Sequence, residues 1–505
     1  MNLNALIPAR LARVPRSAFE RFVPARMSHR VLIALRRASP GLLIALAGCT
    51  LAPKYARPPA PIPTEWPQGA AYKDTATATA APEARDLAWR EFFQDQKLQQ
   101  VIAAALANNR DLRLATLNVE RARAMYGIQR AELYPVLNAA GSGSRARLPS
   151  DLSPSGRRYT SERYDVNLGL ASWEIDFFGR IRSFKERALL EFMATEQARR
   201  GAQILLVSSV ANTYLALAAD RENLELSQTT LTAQQNAYDL VKRRHDLGLI
   251  PELDLYRAQI PLEVARRDVA IYTQQAAQDL NALNLMIGAP VPDDLLPTGL
   301  SQITPPRRLA PGTPSDVLLR RPDVVQAEDM LRAAYADIGA ARATFFPRIS
   351  LTAAIGTASS ELSGLFKSGS GAWSYAPQIV MPIFDARTWS ALKASKVQRQ
   401  MALTQYEQAI QAAFRDVADA LSVQGTMDLE VAAQESLVQA QAQTYRLANS
   451  RYEKGIDSYL GVLDAQRSLF ASQQALVFLR LARLANEVRL YAVLGGGWQP
   501  EPAAR

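Results

Sequence analysis

Residues able to do bond chemistry are scarce in this chain. Its 505 residues include one cysteine, Cys49, and two histidines, His29 and His245. One cysteine excludes a disulfide framework and a cysteine-rich zinc or iron–sulfur site, and two histidines leave little for a metal site or catalytic triad. Gly495-Gly496-Gly497 lacks the strand and the downstream Lys-Ser/Thr that a phosphate loop needs. With no metal cluster, nucleophile motif or convergent acid pair, an enzyme is the weakest reading, and no metal or cofactor is expected. What remains is hydrogen-bond and ion-pair chemistry at two places. One is Arg243-Arg244-His245-Asp246-Leu247-Gly248 with Leu253 and Asp254; the other is Ser450-Arg451-Tyr452-Glu453-Lys454-Gly455 with Leu460 and Asp464. Leu460, Asp464 and Arg467 fall at i, i+4 and i+7 of one helical face. The plainer readings are that Gly248 and Gly455 are helix stops, that His245 is a solvated tip residue, and that Asp464 and Arg467 are a surface pair worth about a few tenths of a kcal/mol.

The lone cysteine has an unusual setting. Residues 1–48 carry eight arginines against one acid, Glu20, and end in the apolar run Leu42–Leu46 followed by Ala47 and Gly48. A basic stretch, a short apolar stretch and small residues are the three parts of a secretory signal, and the run is too short to span a bilayer. Leu46-Ala47-Gly48-Cys49 looks like a lipobox, in which the cysteine is acylated and becomes the first residue; the alternative is a buried free thiol. Met1 and Met27 are both candidate starts. Of the formal charge of +10, this leader holds +7, so the chain from Cys49 onward is near +3 and the nucleic-acid reading goes with the leader. Residues 49–88 then form a Pro-rich segment that reads as an extended tether.

The body is a duplication. Arg130-Ala131-Glu132-Leu133-Tyr134-Pro135 matches Arg342-Ala343-Thr344-Phe345-Phe346-Pro347 at a spacing of 212, while Gly248 and Gly455, and Gly288 and Gly495, match at 207. One copy covers 89–288 and the other 315–495, with a connector at 289–314 whose seven prolines place it on the surface outside the helical body, and a tail at 496–505. In each copy the pattern predicts a helix of about 40 residues from Leu98 or Pro322, two short strands, a very long helix, a break at Gly248 or Gly455, and a return helix. The long helices carry a seven-residue period at Val210, Leu217, Leu224, Leu231 and Tyr238, which favours coiled-coil packing.

The strands alternate. Tyr164, Val166, Leu168 and Leu170 lie on one face of their segment, with Asp165, Asn167, Gly169 and Ala171 on the other. Residues 349–355 and 373–379 behave alike. This fits a membrane strand with a wet inner side, and equally a soluble sheet with one buried face; the signal segment tips the balance to membrane. Four strands per chain cannot close a barrel, and lipid does not tolerate open edges. A spanning sheet therefore has to be completed by other copies, and three would supply twelve strands.

These features together resemble the outer-membrane efflux channels of the OprM/TolC group, in the lipoprotein branch that serves RND-type drug pumps. The likeness rests on Trp89-Arg90-Glu91-Phe92-Phe93, Asn108-Asn109-Arg110-Asp111-Leu112, Ala171-Ser172-Trp173-Glu174-Ile175-Asp176-Phe177-Phe178-Gly179-Arg180, Leu319-Arg320-Arg321-Pro322-Asp323-Val324, Pro382-Ile383-Phe384-Asp385, Leu463-Asp464-Ala465-Gln466-Arg467 and Leu494-Gly495-Gly496-Gly497-Trp498. It implies a mainly α fold with a small β part: internally duplicated coiled-coil hairpins and four membrane strands per protomer, in a homotrimer with a twelve-strand barrel and an α-helical tunnel. It further implies an outer-membrane location with the tunnel in the periplasm, a covalent lipid on Cys49 in outer-membrane lipid, a periplasmic adaptor protein and an inner-membrane RND antiporter as partners, and no nucleic acid. The expected function is passive conduction of drugs or other small toxic compounds. Metal-ion efflux, type I protein secretion and a non-conducting coiled-coil lipoprotein are the alternatives.

The resemblance also locates the gate, because the group closes its tunnel at the periplasmic helix tips. It implies Leu460 as an apolar constriction, Asp464 as an acidic ring, and Tyr452, Asp254 and Arg467 as tip-locking groups. Gly248, Gly455, Arg244 and Arg451 would meet the adaptor. Gly461 stands where the TolC pattern carries a second aspartate, so one acidic ring is missing.

Overall fold

The computed structural model describes residues 50–72, 84, 87–309 and 317–498. The expectations for the leader and for Cys49 lie outside these residues. After a single helical turn at Trp89–Phe92, the first copy runs α1 (Gln96–Asn108), α2 (Arg110–Ala131), β1 (Leu137–Leu148), β2 (Tyr159–Glu174), α3 (Arg180–Asp246) and α4 (Glu252–Ile287). The second runs α5 (Pro322–Ala343), β3 (Arg348–Ser359), β4 (Gly371–Val380), α6 (Ala386–Glu453) and α7 (Tyr459–Val493). The order repeats as the duplication requires. At 1.5 Å per residue α3 and α6 are each about 100 Å long.

The forty-residue leading helix is corrected in both copies. In the first it is two helices, because Asn109 leaves helical geometry at ψ 132° and caps the second helix, its Oδ1 accepting from the Leu112 N–H at 2.8 Å. Its Nδ2 donates to the Met286 carbonyl, also at 2.8 Å, which ties the break to α4. In the second copy the helix is only 22 residues long, with Pro322 at its first position as its fixed φ favours.

The strands form one antiparallel sheet in the order β1-β2-β3-β4, so β1 and β4 are free edges. Its register places Leu137, Leu170, Ala353 and Tyr375 in one cross-strand row and Ala139, Leu168, Ile355 and Trp373 in the next. This apolar face is the open one: Leu168 is 50% exposed, Ile355 68% and Trp373 75%. A soluble sheet would cover such a face, and among the described residues no element does. The other face carries Asn138, Ser142, Ser144, Asp165, Asn167, Ser374 and Gln378. Gly169 and Gly356 sit on that polar face, where the neighbouring backbone leaves no room for a side chain; a Cβ on Gly169 would meet the Ala353 carbonyl oxygen at 2.5 Å. Small residues on the inner side let the sheet curl tightly.

The largest hydrophobic core sits midway along the long helices. Val210, Tyr214 and Leu217 of α3, Tyr406, Ile410 and Val417 of α6, Phe92, Leu283, Leu331 and Tyr491 meet there, all at most 2% exposed. The connector is corrected too: Leu296, Leu300 and Ile303 enter this core, Tyr214 Oη donates to the Leu295 carbonyl at 3.0 Å, and Arg221 Nη1 to the Pro297 carbonyl at 2.7 Å. Prolines kept it out of helices without keeping it out of the interior. The Pro-rich segment is extended, as expected, but packed. Tyr55 Oη and the Arg57 guanidinium both donate to the buried Glu328 carboxylate, and Trp66 stacks on Phe414 with ring centroids 5.2 Å apart.

The heptad is legible but displaced. Val210 and Leu217 are buried, whereas Leu224, Leu231 and Tyr238 are half-buried, and the fully covered seam further along α3 is Ser227, Gln234 and Val241.

Gly169→Val and Gly356→Val each force backbone apart at the curl and should cost at least about 2 kcal/mol. Heat-resistant assembled protein on unheated gels should fall several-fold in both; normal yields would show that the curl does not need these glycines.

Candidate functional site

The two helix tips are built alike. At the end of α3, Gly248 takes φ 74°, its N–H donates to the His245 carbonyl at 2.7 Å, and the Leu249 N–H donates to Arg244 at 2.9 Å. At the end of α6, Gly455 takes φ 70°, with N–H bonds from Gly455 to Tyr452 and from Ile456 to Arg451, both 2.9 Å. This is the paired bond set of a Schellman cap, which needs a left-handed residue at its centre. The helix-stop reading of both glycines therefore holds.

Side chains then make the tips unequal. Arg244 Nη1 donates to the Tyr452 hydroxyl at 2.7 Å, joining the first hairpin to the second across 208 residues. Its counterpart Arg451 turns onto its own loop, with Nε to Asp457 at 2.5 Å and Nη2 to the same carboxylate at 3.1 Å, holding that carboxyl below its usual range. Tyr452 packs against Tyr459 with centroids 5.0 Å apart, and burial with the neighbouring Tyr452 and Tyr445 pushes the Tyr459 hydroxyl up to about 12.

Leu460, Asp464 and Arg467 come together in one cleft of about 210 Å³, between α7 and the stretch of α4 that includes Arg257, Ile260 and Pro261. Pro261 denies the Arg257 carbonyl its i+4 donor, leaving a polar backbone group beside the cleft. Arg467 Nη2 donates to Asp464 at 3.0 Å, and Arg257 lies 3.6 Å from Asp254. Both are pairs within one helix, so neither Asp254 nor Arg467 bridges the hairpins; Arg244–Tyr452 does, and further from the tips Gln474 Nε2 donates to the Tyr272 hydroxyl at 3.1 Å. The sequence analysis missed Arg257, Asp457 and Tyr459. Arg257 had a signal, since it occupies the position of Asp464 at the repeat spacing of 207.

A second polar cluster lies inside the first hairpin. The carboxyl groups of Asp220 on α3 and Asp279 on α4 face one another, and burial together with Asp279 pushes Asp220 up to about 6. Burial also raises Asp279, whose Oδ2 has no other partner. The second copy has Met427 and Asn486 at these places, and Asn486 Nδ2 donates to the Ala420 carbonyl at 3.0 Å. Comparing the copies position by position exposes this pair. In the second hairpin burial raises Glu487 to about 7 against the pull of Arg483 and Arg308.

The profile of the outer membrane efflux proteins matches residues 101–289 and 313–496. The antibiotic efflux pump outer membrane protein ArpC of Pseudomonas putida is 46% identical over 457 residues, covering 90% of this chain and 93% of its own. The toluene efflux pump outer membrane protein TtgC of the same species gives the same identity and coverage. The open state of the MtrE outer membrane channel of Neisseria gonorrhoeae superposes with TM-score 0.81 at 37% identity, covering 89% of this chain and 99% of that one.

The facing carboxyls carry a pH dependence of definite sign. Asp220 is raised in the folded chain, so between its ordinary 3.8 and about 6 the folded state holds more protons and stability falls as pH rises. Asp279→Asn, the amide the second copy carries, should stabilise at pH 8 by about 1 kcal/mol after discounting solvent screening, and by little at pH 4.5. Equal melting-temperature changes at both pH values would remove the pair as the cause.

Proposed function

The chain belongs to the outer membrane efflux protein family, and from that premise we propose that it is the gated exit duct of a tripartite pump, conducting antibiotics or organic solvents passively and catalysing no reaction. It is an outer-membrane protein with its helices in the periplasm. The observation that carries the duct is the sheet: an open apolar face, a polar inner face, and two free edges above helices of about 100 Å. Three copies would complete twelve strands by pairing β4 of each with β1 of the next, a homotrimer with no edge left in lipid. A coiled-coil spacer without a pore has no use for a polar face opposite an apolar one. The cargo proposal follows the printed names of the antibiotic and toluene relatives.

Cys49 is proposed as the acylated residue, and the path of the chain beyond it supports this. Leu51 accepts from Arg342 Nη1 at 3.0 Å, six residues before β3 begins. A lipid on residue 49 would then enter the leaflet at the base of the sheet. At the other end, the Arg244–Tyr452 bond is the lock proposed for the closed tunnel. Leu460 and Asp464, repeated threefold, would form the apolar and acidic constriction, with Arg467 and Asp254 setting its charge. The Schellman turns at Gly248 and Gly455, with Arg244 and Arg451, are proposed for the periplasmic adaptor, which an RND antiporter would in turn engage. An adaptor that drew Arg244 to itself would release Tyr452.

Purified protein in planar bilayers should give discrete current steps, and their absence would overturn the duct. Tyr452→Phe and Asp464→Ala should each raise the closed-state conductance several-fold and increase antibiotic leakage in cells; an unchanged closed state in both assays would remove these residues from the gate. Cys49→Ser should lower the mature protein's mass by the acyl groups, and an unchanged mass would refute acylation.

A further inference from the structure

The outward face of the sheet does not end where its apolar rows end. From the Ile349–Ile379 row to the Tyr164–Ser359 row, β3 advances ten residues, about 34 Å along the strand and about 26 Å along the normal at a tilt near 40°. That is the height of a hydrophobic band. The next outward rows, toward the hairpin loops, pair Arg145 with Glu162 and Arg147 with Thr160. Both arginines share the face of Leu137, since residues two apart on a strand point the same way. Arg145 meets Glu162 at 2.9 Å yet its side chain stays 73% exposed, and Arg147 is exposed with no carboxylate partner among the described residues. Exposed Arg157 and Arg158 follow in the loop between β1 and β2. Across the described loops and outward rows at this end, Arg145, Arg147, Arg157, Arg158 and Lys367 face only Asp151, Glu162 and Glu361.

We propose that Arg145 and Arg147 form a docking surface for the phosphates of the outer-leaflet glycolipid, the lipid A headgroup of lipopolysaccharide. Position and charge decide the occupant. The arginines stand one and two rows above the apolar band and face lipid, so they meet headgroups and not cargo; Arg163 and Asp165, on the inner face, pair with each other at 2.9 Å. They lie at the end of the sheet away from Arg342 and the proposed anchor, which puts them in the leaflet built of phosphorylated glycolipid. Guanidinium groups bind phosphate oxygens through paired N–H donors, and Arg147 has none of its donors committed to a carboxylate. Pairing of β1 with a neighbouring strand would use backbone groups and leave both side chains facing outward. The proposal rests on the outward face meeting lipid, which the current steps test separately.

The test uses the purified, assembled full-length protein in neutral detergent. Bisphosphorylated lipid A should raise the melting temperature by several degrees, and Arg145→Gln/Arg147→Gln should lose at least half of that rise while keeping its current steps. Phosphate-free lipid A, phosphatidylglycerol and millimolar inorganic phosphate should each give a clearly smaller rise. An undiminished rise in the double variant overturns the proposal. So does an equal rise with phosphate-free lipid, meaning acyl chains alone; with phosphatidylglycerol, meaning any anionic lipid; or with inorganic phosphate, meaning a free-anion site. Should the double variant fail to assemble, Arg147→Gln and Arg147→Lys decide: loss in the first with retention in the second supports the surface, and no loss in either overturns it.

Discussion

Everything in this chain answers to one constraint: backbone N–H and C=O groups in lipid have no water to satisfy them. Four strands satisfy the inner rows of one another and leave β1 and β4 each with an open side. A single chain is thus half a solution, and its other exposures follow the same logic. Leu168, Ile355 and Trp373 wait for lipid, while Ile383 and Phe384, both about nine-tenths exposed, sit just past the β4 edge where a neighbouring copy would pack. The glycines of the inner face belong to this constraint as well, because a ring of so few strands must curl hard at each step.

Stability that the chain supplies for itself is concentrated midway along the helices. There the two copies, the connector and the Pro-rich segment bury one continuous core; Glu328 is answered by Tyr55 and Arg57 and Tyr491 Oη by the Leu87 carbonyl at 2.7 Å, while the Tyr406 hydroxyl is buried without a hydrogen-bond partner. Beyond the core, toward the tips, buried polar residues join the apolar packing of Met427, Val431 and Leu476. Ser227 and Asn223 are buried with oxygens lacking a partner, and Asp220 faces Asp279. Unsatisfied groups of this kind cost free energy in any single arrangement and so narrow the gap to a second one.

Much of this was legible in the residues, and the failures have physical causes. Repeat spacing exposed the duplication because both copies keep the same caps and turns; Gly248 and Gly455 were readable because a left-handed residue was required. Alternation along Tyr164–Ala171 revealed a two-faced strand but not which face is open, since lipid and a protein core select the same side chains. The leading helix was misjudged because Asn109 resembles any polar helical residue until its cap bonds are seen. The connector was misjudged because proline reports on hydrogen bonding, not burial. Partners of Asp254, Arg257, Asp464 and Arg467 depend on rotamers, which spacing along the sequence does not encode.

The duplication carries a last consequence for the tips. Two copies of one turn are locked by identical backbone bonds, so a change that opened one turn by itself would open the other equally. Divergence of side chains breaks this equivalence: Arg244 reaches across to Tyr452, while Arg451 is spent on Asp457 within its own loop. The hairpin interiors diverge in the same sense, an acid pair in the first against methionine and amide in the second. The first hairpin therefore differs from the second in its tip bond to Tyr452 and in its facing acids, while further from the tip its Tyr272 hydroxyl also accepts from Gln474 at 3.1 Å. The backbone thus supplies the same turn twice, and the side chains decide what each tip holds.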